Sequence, residues 1–171
     1  MRLVLIVAVL WSLGFPFASQ VAAQTRPRPA VDVSAGWAWF ADESLIDVEH
    51  GYVGGSPRFY LTRGVSVGPE VVYMVGPGTD RDLFVTANIN YEWPLPVSAA
   101  SPRMTPFVLA GWGYMRHTPR FGTRIGHGQA VVGGGGVRVR ITDRVSAGAE
   151  FRMGLELHFR VGAIASIRLG S

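Results

Sequence analysis

From about Ala30 to Leu169, apolar and aromatic residues recur at every second position, with small, polar or charged residues between them. A period of two places successive side chains on opposite faces of an extended strand. The clearest stretch sets Leu83, Val85, Ala87, Ile89, Tyr91 and Trp93 against Phe84, Thr86, Asn88, Asn90 and Glu92. Eight such segments can be read, at roughly 18 residues per strand plus connection, which suits strands of about 9–11 residues.

The first segment runs from Val31 to about Phe40, with Val33, Ala35, Trp37 and Trp39 opposing Asp32, Ser34, Gly36 and Ala38. The second covers about Tyr52 to Leu61 and the third Val65 to Val75, joined by a tight turn at Thr62, Arg63 and Gly64. Pro69 falls on the apolar parity of the third and removes one ladder donor. Gly76 to Asp80 reverses the chain into the Leu83–Trp93 strand. A longer connection, Pro94 to Pro102, precedes a fifth strand with Phe107, Leu109, Gly111 and Met115 on one face and Val108, Ala110, Trp112 and Tyr114 on the other. The sixth spans Gln129 to Ile141, and Thr142, Asp143 and Arg144 turn it into the seventh. There Val145, Ala147, Ala149, Phe151, Met153 and Leu155 face away from Ser146, Gly148, Glu150, Arg152 and Glu156. The eighth carries Phe159, Val161, Ala163, Ala165, Ile167 and Leu169 against His158, Arg160, Gly162, Ser166 and Arg168.

At the N-terminus Arg2 precedes an apolar run from Leu3 to Leu13, a Pro16 break and the small-residue stretch Val21, Ala22, Ala23. This reads as a cleavable secretory signal over residues 1–23, followed by a short segment at 24–29 and one domain at 30–171. No later apolar run approaches the roughly 20 residues a membrane helix needs, so membrane spanning would fall to strands. The expected fold is all-β: an eight-stranded antiparallel up-and-down transmembrane barrel. The segments Ala41–Gly51 and Arg116–Gly128 read as long outer loops, whereas the long Pro94–Pro102 connection falls on the side where tight turns are expected. The chain holds no cysteine, hence no disulfide framework and no lipid-modified cysteine.

All of the basic residues are Arg, and the formal charge is +4. The arginines are scattered through strands and loops, and several share a parity with glutamates, which argues against a nucleic-acid stripe and for internal ion pairs. The inward parity supplies Arg58, Arg138, Arg140, Arg152 and Arg160 with Glu70, Glu92 and Glu150. These are expected to fill a narrow lumen with salt bridges, Glu150 being shared between Arg138 and Arg152. The Gly133–Gly136 run has no Gly-Lys-Ser/Thr and no helix pattern after it, so it reads as strand relieved of crowding rather than a phosphate loop.

His50, His117, His127 and His158 form no recognised metal-ligand pair, and the first three read as surface-loop residues. Neither His127 nor the pair Glu156 and His158 has an adjacent serine nucleophile. Asp42, Glu43, Asp47 and Glu49 make the first outer loop acidic. Arg116, Arg120 and Arg124 make the third basic and candidates for surface contacts with lipopolysaccharide or a partner.

The stretches FYLTRGVSVGPEVVY at 59–73, TPFVLAGWGY at 105–114 and VVGGGGVRVRITDRVSAGAEFRM at 131–153, with the closing alternation, resemble the small OmpA/OmpX-like outer-membrane β-barrel domain proteins. The resemblance covers nearly all of the chain after residue 23 and implies a fold rather than an activity. It implies export through the periplasm to the bacterial outer membrane, contact with outer-membrane lipid and lipopolysaccharide, and insertion by the barrel-assembly machinery. Arg160, Gly162, Ala165 and Ile167 fit that machinery's C-terminal signal, although the chain ends Leu169, Gly170, Ser171 rather than in an aromatic. The function expected is a non-enzymatic, porin-like but plugged monomer of the cell envelope, without cofactor or metal, in a structural or surface-interaction role. The alternatives are a lipid-modifying outer-membrane enzyme, a narrow pore, and a soluble lipocalin-like barrel whose apolar parity would point inward.

Overall fold

The computed structural model describes residues 28–41, 46–93, 104–119, 125–155 and 158–170. The expected signal segment with its cleavage after Ala23 lies outside the described residues, as do Pro94–Pro102 and Glu156. Eight strands are present: β1 (Ala30–Ala41), β2 (Ile46–Tyr60), β3 (Val65–Val75), β4 (Arg81–Glu92), β5 (Met104–Thr118), β6 (Gly126–Arg140), β7 (Val145–Gly154) and β8 (His158–Arg168). Each pairs antiparallel with the next, and β8 returns to β1 to close the barrel. The closing ladder runs from Ala30 opposite Arg168 to Phe40 opposite His158, so no strand is left with an unpaired edge.

Two of the turns at the end carrying the chain termini repeat one local device. Leu61 N–H donates to the Val65 carbonyl at 2.9 Å, and Thr62 Oγ1 accepts from the amides of Gly64 and Val65 at 3.3 and 3.0 Å. Ile141, Thr142, Arg144 and Val145 reproduce it at 2.9, 3.2 and 3.0 Å. A threonine hydroxyl at the same offset thus satisfies backbone donors that the ladder abandons. At the far end Gly78 adopts φ 65°, a left-handed conformation that costs glycine nothing.

The strands extend further toward the far end than the sequence pattern suggests. Residues 46–51, expected in a loop, belong to β2, where Glu49 pairs with Trp39 and Val48 with Phe40. Asp47 and Glu49 are therefore strand residues rather than loop acids, while Asp42 and Glu43 lie outside the described residues. β5 runs to Thr118 and β6 starts at Gly126, which shortens the second expected loop in the same way. Ladder hydrogen bonds do not require apolar side chains, so polarity alone does not end a strand.

Parity decides the faces. In β4, Val85, Ala87, Ile89 and Tyr91 are exposed while Phe84, Thr86, Asn88, Asn90 and Glu92 are buried. Of the two faces of β5, the one carrying Phe107, Leu109, Gly111 and Met115 points inward. Ala38, Tyr52, Val72, Met74, Phe84, Met115 and Ala130 form an apolar cluster inside, with Phe40 packed against it.

The glycine run of β6 is strand, with Gly134 and Gly136 pressed against β7 and Gly135 against β5. A Cβ at Gly136 would lie 2.1 Å from the Ala149 carbonyl oxygen and one at Gly134 2.2 Å from that of Phe151, whereas at Gly133 nothing lies closer than 4.0 Å. Close backbone approach, not anion binding, accounts for these glycines. Gly136→Ala is therefore expected to destabilise the folded barrel by about 1–3 kcal/mol through overpacking. Gly133→Ala should stay within about 0.5 kcal/mol of the parent. Urea titration of both variants checks this, and equal costs would show that crowding is not what the run relieves.

Candidate functional site

The lumen is built in levels, because inward residues of neighbouring strands fall side by side and long side chains reach across a narrow bore. Nearest the chain termini, Asp32 of β1, Arg58 of β2, Glu92 of β4 and Arg138 of β6 form a closed square of alternating charge. Asp32 Oδ2 stands 2.7 Å from Arg58 Nε as an ion pair and accepts a hydrogen bond from Arg138 Nη2 at 2.9 Å. Glu92 Oε1 accepts from Nη1 of Arg58 and, at 3.0 Å, from Nη1 of Arg138. The Tyr60 hydroxyl donates to Glu92 at 3.2 Å, and the Arg138 guanidinium stacks 3.7 Å above the Phe107 ring. Each of these four charged residues is more than nine-tenths buried.

The next level is organised by a like-charge pairing. Arg152 of β7 stands directly opposite Arg160 of β8 in the ladder. Two guanidiniums in that position repel, and carboxylates hold them. Arg152 donates to Glu70 and, at 2.8 Å, to Glu150, while Arg160 Nη2 approaches Glu70 Oε2 at 4.0 Å. Asn88 Nδ2 donates to the same Glu70 oxygen at 3.0 Å, and the Tyr52 hydroxyl to Glu150 Oε1 at 3.4 Å. Glu70 lies on β3 and Arg152 on β7, four strands apart in a barrel of eight, so this pair spans the full bore.

Six of the eight expected lumen residues, Arg58, Glu70, Glu92, Arg138, Glu150 and Arg152, are joined by these hydrogen-bonded ion pairs, with Arg160 alongside. Arg140 is not: it is exposed at the terminus-end mouth, one inward position beyond Arg138, where the bore opens to solvent. The expected Glu150–Arg138 contact is replaced by Arg138 with Asp32 and Glu92, because Arg138 and Glu150 belong to different levels. Asp32, absent from the expected charged lumen set, is a full member. Its placement on the inward face of the first segment was the available signal.

The histidines also depart from expectation. His50 is buried in β2 within reach of Asp80 and Asp82, and His117 lies in β5, hydrogen-bonded to Asp82 at 2.6 Å. His127 sits at the start of β6 on the outer surface against the Tyr114 hydroxyl. His158 is buried between Phe40 and Phe84. Of the candidate surface arginines, Arg116 is an exposed β5 residue rather than a loop residue, and Arg120 and Arg124 lie outside the described residues.

No protein-family model matches the chain, and no curated protein sequence matches it. Solved structures do. Neisserial surface protein A superposes with a TM-score of 0.69 at 14% identity, over 85% of this chain and 100% of that one. The N-terminal β-barrel domain of Pseudomonas aeruginosa OprF gives 0.60 at 15% identity, over 84% and 100%. Ail, the attachment invasion locus protein of Yersinia pestis, gives 0.52 at 8% identity, over 84% and 99%. The chain therefore has the fold of the small eight-stranded outer-membrane β-barrels.

Glu70→Gln removes the charge that separates Arg152 from Arg160 and is expected to cost about 3–5 kcal/mol, less whatever water entering the lumen restores. A double-mutant cycle should give coupling of about 1 kcal/mol or more for Glu70 with Arg152, and additivity within about 0.5 kcal/mol for Glu150 with Arg138. The opposite pattern would mean that the levels are wrongly partitioned.

Proposed function

We propose that the chain is a non-enzymatic integral barrel of the bacterial outer membrane, with a structural or surface-interaction role and a lumen plugged by Arg/Glu pairs. The observation that carries this reading is the polarity of the wall. Val33, Trp37, Val53, Ile89, Trp112 and Ile167 are among the large apolar side chains more than half exposed on the outside, while four arginines stand buried inside. A soluble protein does not present a continuous apolar belt to water, and a lipocalin-like binder would need the reverse arrangement. Aromatic residues flank the belt as interfacial girdles do: Phe59, Tyr91 and Trp93 toward the terminus end, Trp37, Tyr73 and Tyr114 toward the far end.

Ion pairs that cross the bore at two levels support a plug over a pore. The cavity at the terminus-end mouth, lined by Arg58, Glu92 and Arg138, measures ≈ 20 Å³, about the volume of one water. A hydrolytic site would need a serine beside an imidazole. His117 and His127 instead direct a ring nitrogen at Asp82 and Tyr114.

In single-chain bacterial barrels both termini lie in the periplasm, so the far end would face outward. Arg116, exposed near that end, would then meet lipopolysaccharide phosphates; Arg120 and Arg124 follow it closely in sequence. Export by the N-terminal signal, insertion by the barrel-assembly machinery through β8, and a monomeric state complete the proposal.

Membrane fractionation with heat-modifiable gel mobility tests the location, and planar-bilayer recording tests the plug, with no steady conductance expected. Ala87→Arg, midway along β4, should cost about 2–4 kcal/mol in liposomes, and Val75→Arg, at the far end of β3, about 0–1 kcal/mol. Equal costs, or recovery of the protein in the soluble fraction, would overturn the membrane reading.

A further inference from the structure

Among the described residues, one buried charge set in the lumen contains no guanidinium. In the two lower levels four carboxylates, Asp32, Glu70, Glu92 and Glu150, meet four guanidiniums, Arg58, Arg138, Arg152 and Arg160. Just beneath the far-end rim, the cationic partners of Asp80 and Asp82 among the described residues are imidazoles. His50 Nε2 stands 3.4 Å from Asp80 Oδ1 and 3.3 Å from Asp82 Oδ2. His117 Nδ1 stands 3.7 Å from Asp80 Oδ1 and 2.6 Å from Asp82 Oδ1. Arg81, the cation next in sequence, turns its guanidinium to the backbone carbonyls of Gly76, Gly78 and Asp80. Asp80 is 6% and Asp82 1% exposed, and Asp80 Oδ1 and Asp82 Oδ2 accept no hydrogen bond. Buried carboxylates in that position require a countercharge, which neutral imidazoles do not supply.

We propose that His50, Asp80, Asp82 and His117 bind one divalent first-row transition-metal ion of the zinc type. Two imidazole nitrogens and two carboxylate oxygens are the donors such an ion takes, whereas calcium and magnesium favour six or more oxygens. Bonds of about 2.0–2.1 Å place the corners of a tetrahedron about 3.3–3.4 Å apart. The donors of His50, Asp80 and Asp82 already converge within 4.8 Å of one another. His117 stands outside that group of three: its short contact to Asp82 must open and its ring must move toward the others, and the side chain, 40% exposed, has room to do so.

The surroundings hold these donors in place. The Phe40 ring meets His50 edge-on at 4.9 Å, and the backbone at Gly76 lies so close that a Cβ there would stand 2.3 Å from His50 Nε2. Met74, Asp82 and His117 succeed one another across the β3, β4 and β5 ladders, which brings residues distant in sequence to one level. His158, a further titratable group of this layer among the described residues, is buried against Phe40 and Phe84. The half-exposed His117 leaves the group open to solvent at the far end, the route by which an ion would enter.

The test uses the full chain without an affinity tag, purified from membranes in detergent and stripped with a chelator. Titration calorimetry with zinc chloride should give one ion per chain, and cobalt(II) should develop the strong visible absorption of a four-coordinate site. His117→Ala, a half-exposed position that leaves the barrel folded by heat-modifiable mobility, should weaken zinc binding at least about tenfold. Asp80→Asn should do the same, and His127→Ala, on the outer surface, should leave binding unchanged. Failure of the parent to bind one equivalent overturns the proposal, as does parental affinity in both His117→Ala and Asp80→Asn. If the stripped protein ignores zinc and gains stability as the imidazoles protonate, protons supply the countercharge and the metal site is excluded.

Discussion

Closure of β8 onto β1 is the constraint from which the other features follow. It satisfies every edge by backbone hydrogen bonding, and it fixes the bore at eight strands. A bore that narrow admits every second side chain and little else. Inward positions must therefore be small, apolar and interlocked, or charged and paired, and all three solutions occur along the same lumen. Gly134 and Gly136 allow close approach, Met74, Phe84 and Met115 interlock, and the Arg/carboxylate levels pair across the bore.

The paired levels specify the barrel more than they stabilise it. A buried ion pair recovers its desolvation cost only with good geometry and further hydrogen bonds, which here come from Tyr52, Tyr60 and Asn88. A slip of one residue, however, would send Arg152 or Glu150 to the outer wall and Phe151 or Met153 into the bore. The cost of that exchange is what holds the register. Arg152 opposite Arg160 shows the same logic at a single ladder position, because that pairing is tolerable only while Glu70 reaches across from β3.

Alternation was legible wherever a strand crosses the apolar belt, and β3, β7 and β8 match their patterns closely. Both threonine turns were legible as well, since Thr62 and Thr142 stand at the same offset from the following valine. The ends of β2, β5 and β6 were not, because strands continue past the belt into polar sequence where nothing apolar marks them. Partner choice in the lumen was legible only as parity. Inward direction follows from counting, but whether Arg138 meets Glu150 or Asp32 depends on the stagger between strands and on contacts made through the bore. The His50, Asp80, Asp82 and His117 group was hidden for the same reason, as its members share no spacing and are brought together by three separate strand pairings.

The central claim is that odd positions of β4 face lipid and even positions face a closed, charged lumen. The chain has no cysteine of its own, so single cysteines placed at residues 85 to 90 would each be a lone reporter. Carrying a fluorophore at each in turn and quenching with nitroxide-bearing lipids reads the wall directly. Quenching at 85, 87 and 89 with protection at 86, 88 and 90 is the predicted result. Uniform quenching, protection at the odd positions, or ready access of aqueous quencher to them would contradict the account.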